Sequence, residues 1–127
     1  MGLWIAVAAA NGFLAVAMGA FAAHGLQDRL EPKALGWIET AARYEAIHAL
    51  ALFGVAILMG RAGTAPLSLS LSAWGFTLGM LLFCGALYLM GLLGWRGLGA
   101  VAPFGGLALM TGWALLAVYG VREFLRA

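Results

Sequence analysis

A chain of 127 residues that is 65% hydrophobic and 9% charged cannot cover a water-facing surface, because soluble domains carry about 25% charged residues. Seven basic and five acidic residues leave a net charge of +2. Arg29, Lys33, Arg43, Arg61, Arg96, Arg122 and Arg126 are scattered and form no basic stripe, so no nucleic-acid partner is expected.

The mean hydropathy of +1.00 is concentrated in four runs: Leu3–Ala23, Ala46–Gly60, Leu67–Gly94 and Gly97–Val121. About 20 apolar residues cross the ~30 Å hydrocarbon core as a helix. The pattern predicts one all-α domain, an integral membrane bundle of four transmembrane helices near residues 2–23, 41–60, 67–94 and 99–121, with lipid as its solvent.

The first run has no Lys or Arg in Met1–Trp4, so it reads as a span and not as a cleaved leader. Ala8 and Gly12, then Ala15, Gly19 and Ala23, recur at four-residue spacing, which lets helix backbones approach closely. Asn11 is the only strongly polar interior residue; it can bond across helices, with a plain packing role as the simpler expectation. His24-Gly25 marks the helix end, with Gly25 available for a left-handed conformation.

Pro32 suits the first turn of a second helix. Lys33–Arg43 is amphipathic and predicts an interfacial start, with Glu39 and Arg43 spaced to pair and Gly36 as a bend. The strictly apolar part, Ala46–Gly60, is about 22 Å long at 1.5 Å per residue, short of a full span. Ala41–Glu45 must therefore enter the headgroup boundary or deeper. Ala41, Glu45, His48, Leu52, Val55 and Met59 share one face, which should point into the bundle.

Thr64 is expected to cap the third helix, with Ser68, Ser70 and Ser72 forming its wet first turn. Gly75 and Gly79 form a small-xxx-small pair, and Gly105, Gly106 and Gly112 offer a close-approach face on the fourth helix. Cys84, the only cysteine, reads as a small buried apolar residue. Trp4, Trp37, Trp95 and Tyr119 fall near predicted interfaces, whereas Trp113 falls mid-span and should pack on a neighbour. Four spans put both termini on one side. Arg61, Arg122 and Arg126 there against Arg29, Lys33, Arg43 and Arg96 opposite leave the orientation undecided.

The candidate site is His24, Tyr44, Glu45 and His48, expected to meet at one membrane face. An ionisable group at membrane depth is a functional hypothesis by default. Such a group can bind a metal, hold a proton or recognise a headgroup; it can equally tie the bundle together. Glu-x-x-His occurs once, whereas di-metal bundles use it twice with further glutamates, so no metal and no cofactor are expected. Neither a Ser-His-Asp set, a Cys-x-x-Cys pair nor a phosphate loop is present, and no enzyme is expected.

Four segments carry a family resemblance. Gly19-Ala20-Phe21-Ala22-Ala23-His24-Gly25-Leu26, Thr40–Leu50, Leu82–Tyr88, and Ala102–Gly106 with Gly112-Trp113 resemble, in order, the conserved segments of the YgdD/YwdK-like family. The resemblance covers nearly the whole chain. It implies a small four-helix protein of the bacterial inner membrane, or of the mitochondrion in eukaryotic members. Ala22 stands where that family has glycine, and Arg43 and Glu45 stand where it has glutamines. His24, Tyr44 and His48 match. The expected role is a non-enzymatic accessory, assembly or scaffold protein that associates through its helices, as a homo-oligomer or within a larger membrane complex. The alternatives are a small oligomeric transporter, channel or lipid-handling protein with His24 and His48 on its path, and a metal- or haem-binding redox accessory.

Overall fold

Lipid offers no hydrogen bonds, so each backbone N–H and C=O in a span must pair within its own helix. The computed structural model, which describes residues 1–127, meets this with helices throughout. They are α1 (Gly2–His24), α2 (Pro32–Ala62), α3 (Leu67–Gly79), α4 (Gly85–Leu93) and α5 (Ala102–Arg126). A five-residue π turn, Met80–Cys84, joins α3 to α4, and a 3-10 turn, Arg96–Ala100, leads into α5. Four continuous helical stretches are long and apolar enough to cross a membrane: α1, α2, α3 through α4, and the segment Arg96–Arg126.

The core has α2 and the third span at its centre. α1 buries Ala8, Ala15 and Ala22, one residue every two turns, against α2 and packs on little else. α5 packs on α3 and the π turn. Thus α2 and α5 both lie on the third span and scarcely touch each other. Met1 lies against Gly60, so the N-terminus and the end of α2 share a membrane face. Left-handed glycines close two helices, Gly63 after α2 (φ 68°) and Gly94 after α4 (φ 70°).

The π turn divides the third span by partner. Before it, Gly75 abuts the backbone of Ala108 and Gly112, and Gly79 abuts Leu109, all on α5. After it, Gly91 abuts Ala34 and Ile38 on α2. One extra residue in a turn shifts the helix phase by about 100°, which turns the packing face from one neighbour to the other. Two apolar clusters follow. Leu52, Val55, Phe76 and Leu109 belong to one; Ala22, Ile38, Cys84 and Tyr88 belong to the other; Phe83 touches both.

Several local expectations change. Gly25 is right-handed (φ −95°), because the chain continues through a turn in which Leu26 is buried. α2 runs through Gly36 unbroken, so its amphipathic start is the first turns of one continuous element of about 46 Å. Glu39 and Arg43 do not pair; the ion pairs are Arg96–Glu31 and Arg126–Glu123. Thr64 does not cap α3, which begins directly after Pro66 without a side-chain cap. Asn11 donates to the Val7 carbonyl of its own helix at 2.9 Å, not across helices. Ser72 is fully buried and donates to the Gly112 carbonyl at 2.7 Å, because its place one turn into α3 puts it on the α5 face and not in the headgroups. Ser68 is buried as well.

The packing glycines also divide. Gly75, Gly79, Gly105 and Gly112 sit where a Cβ would press on a neighbouring helix; at Gly105 it would overlap the Phe83 backbone. Gly19 makes ordinary contact with Ala42, and Gly106 with the Phe83 ring. Gly12 has no neighbour within 4 Å, since α1 turns it into an open groove.

Candidate functional site

Glu45 and His48 face inward as their three-residue spacing requires, with relative exposures of 2% and 6%. They reach different helices. The Tyr88 hydroxyl, on α4, donates to Glu45 Oε2 at 2.5 Å. The Trp113 indole Nε1–H, on α5, donates to His48 Nε2 at 3.0 Å. An indole nitrogen only donates, so Nε2 must accept; the ring proton therefore sits on Nδ1 and is donated to the Tyr44 carbonyl at 2.6 Å. Each partner has a single role, and together they fix one tautomer of His48. No buried side-chain nitrogen or oxygen is left without a partner.

Aromatic rings enclose His48. Tyr44 stacks on it at 5.9 Å between centroids, Phe76 tilts against it at 5.8 Å, and Trp113 meets it edge-on at 6.0 Å. Phe76 and Trp113 pack edge-to-face at 5.1 Å. The π turn places Phe83 against Tyr44 at 4.9 Å. A groove of about 440 Å³ opens beside these rings, between α2 and α5, walled by Tyr44, His48, Phe83, Gly106, Met110 and Trp113.

Of the four residues expected to converge, the structure brings together Tyr44, Glu45 and His48. Tyr44 lies on the rim, 41% exposed. His24 is not with them: it is exposed at the end of α1. Gly19 of α1 lies level with Ala42 of α2, and the two helices run in opposite directions. His24 is five residues one way and His48 six the other, an axial separation of about 16 Å. Tyr88 and Trp113 join the site without any spacing that marks them in the sequence. Both stand in segments that carry the family resemblance, and the mid-span position of Trp113 points only to packing.

Chemically the centre is closed. His48 has both ring nitrogens in use, so ligating a metal or taking up a substrate proton would first break the Trp113 or Tyr44 bond. Glu45, His48 and Ser72 each tie one helix to another or steady their own, and each sits where two elements approach.

Comparison with known proteins agrees with this architecture. A family model described as "Protein of unknown function (DUF423)" matches residues 18–106. The inner membrane protein YgdD of Escherichia coli K12 is 38% identical over 121 residues, covering 91% of this chain and 86% of that protein. A membrane protein of Haemophilus influenzae is 40% identical over 117 residues, covering 92% and 91%. The membrane protein YwdK of Bacillus subtilis is 36% identical over 122 residues, covering 96% and 98%. No solved structure matches. Four spanning helices, a chain-long match to these membrane proteins and the family model together establish that the chain is an integral membrane protein of the DUF423 family.

Proposed function

We propose that the protein is a non-enzymatic association module of the bacterial inner membrane, acting by binding a second copy of itself through the α1–α2 face. The observation that carries this reading is a groove of about 340 Å³ along that face. Ala8, Ala9, Gly12, Ala46 and Ala49 make it shallow-walled and smooth, with Leu50 and Phe53 on one rim. Val16, 73% exposed, forms its edge on α1, and Phe13, 78% exposed, stands beside it. Hollow and ridge thus lie on one patch, which a two-fold axis would interlock. Small residues in lipid favour such contacts by close packing. α1 supports the reading further, because α2 is its one substantial neighbour inside the monomer.

The test is the mass of the detergent-solubilised protein by light scattering, with Gly12→Leu as the variant. Gly12 has no neighbour in the monomer, so the substitution leaves the fold intact. A dimer that Gly12→Leu converts to monomer supports the reading. A wild-type chain that stays monomeric in mild detergent and in lipid overturns it.

A lipid-handling role has one observation in its favour, the lateral groove beside Tyr44, His48 and Trp113. Its path cannot include His24, which lies elsewhere. Lipid transfer in proteoliposomes that His48→Ala leaves unchanged would remove that version. A redox role through His48 would require an axial bond at a nitrogen already in use; an absorption spectrum of the purified protein tests it.

A further inference from the structure

The end of the bundle that carries both termini holds a polar depression of about 480 Å³, formed by the last turn of α2, the α2–α3 connection and the last turns of α5. Arg61 and Arg126 flank it, Thr64 and Tyr119 add hydroxyls, and Leu58 lies on its membrane side. Arg126 is held by Glu123 at 3.0 Å, whereas Arg61 has no carboxylate partner. Arg61 stands about 4.5 Å along the helix axis beyond Leu58, in the last turn of the α2 span, where a charged side chain reaches towards headgroups.

We propose that this depression binds the phosphate of an anionic phospholipid headgroup. The charges match: two guanidinium groups and the Glu123 carboxylate leave one positive charge for the single negative charge of a phosphodiester. The chemistry matches as well. A guanidinium presents a planar fork of donors to phosphate oxygens, and basic pockets between spans are suited to such headgroups. Arg61 supplies the free fork, Tyr119 and Thr64 supply hydroxyl donors, and Leu58 meets the upper acyl chain. Basic residues in a last helical turn also oppose the negative end of the helix dipole. That role alone would be indifferent to the lipid.

The experiment compares thermal unfolding and native mass spectra of the full chain in phosphatidylglycerol and phosphatidylcholine nanodiscs. The wild type is expected to unfold at a higher temperature in phosphatidylglycerol and to retain that lipid in the spectra. Arg61→Gln is expected to cut retention several-fold and erase the temperature difference. Glu123→Gln, which frees Arg126, is expected to increase retention. Inorganic phosphate that reproduces the stabilisation in phosphatidylcholine supports the same phosphate chemistry and assigns it to a soluble source. Equal retention by wild type, Arg61→Gln and Arg126→Gln overturns the site. So does an Arg61→Gln stability loss of the same size in both lipids. Should Arg61→Gln fail to fold, unchanged retention in Glu123→Gln overturns it independently.

Discussion

The Trp113 indole donates to His48 across 3.0 Å, between two helices whose backbones scarcely approach each other. One side-chain bond thus bridges α2 and α5 over the third span and, together with the Tyr44 carbonyl, fixes the tautomer of the histidine. Trp113→Phe keeps a ring in place but removes the donor. The variant is expected to lose about 1 kcal/mol of stability, the scale of an interhelical hydrogen bond in a membrane. In ¹⁵N spectra, the His48 Nε2 signal should shift as it loses its donor, while the proton stays on Nδ1, held by the Tyr44 carbonyl. An unchanged Nε2 signal would show that Trp113 does not donate to it.

Glu45 and Tyr88 offer a test of pairing against packing. Tyr88→Phe leaves a carboxyl at 2% exposure without its donor, and is expected to cost about 1–3 kcal/mol. Glu45→Leu together with Tyr88→Phe removes both polar groups, and is expected to recover most of that loss. A double-mutant cycle by unfolding in mixed micelles measures the coupling directly. Additive losses would mean the two groups do not stabilise each other.

The glycines separate by what lies over them. Gly105→Ala drives a methyl into the Phe83 backbone, which the π turn cannot yield without losing its place against α5. A loss of about 1–3 kcal/mol is expected, the usual scale of overpacking. Gly36→Ala meets nothing and, in the middle of a helix, is expected to stabilise by about 0.5–1 kcal/mol. Thermal unfolding of the pair in one detergent checks the contrast.

Ser72 is fully buried and bonded to Gly112, whereas Ser70 is half-buried on another side of α3. Ser72→Ala is expected to cost about 1 kcal/mol and Ser70→Ala close to nothing. Equal effects would place the Ser72 bond outside the stabilising contacts. The same unfolding assay reads both.

Much of the architecture is legible in the sequence because lipid enforces it. Run length sets the four spans, and the spacing of Glu45, His48, Leu52 and Val55 sets the inward face of α2. The close seams at Gly75, Gly79, Gly105 and Gly112 follow from residue size. What stays hidden has a physical cause in each case. The π turn changes phase by one residue and leaves no trace in composition. Tyr88 and Trp113 look like packing aromatics, since a donor atom on a large ring adds no periodicity. Gly91, which presses on Ile38, blends into a glycine-rich stretch. His24 ends α1 at the same end of the bundle as the start of α2, but its depth along the axis depends on how α1 and α2 slide past each other, and that register is set by contacts such as Gly19 with Ala42. Asn11 bonds within its own helix while Ser72, expected in a wet first turn, bonds across, because a polar side chain in a helix reaches another only where that backbone comes close.

The division of the third span at Met80–Cys84 bears on the order of assembly. α1 has α2 as its one substantial neighbour, so the two can close as a hairpin while translation continues. α3 cannot settle in the same way. The acceptor for Ser72 and the backbone that seats Gly75 lie near Gly112, about forty residues later in synthesis. Until α5 leaves the ribosome, the first half of the third helix carries an unclaimed hydroxyl and a bare glycine seam into the bilayer, while its second half already has α2 to rest on. The fourth span is the one that locks the middle of the molecule.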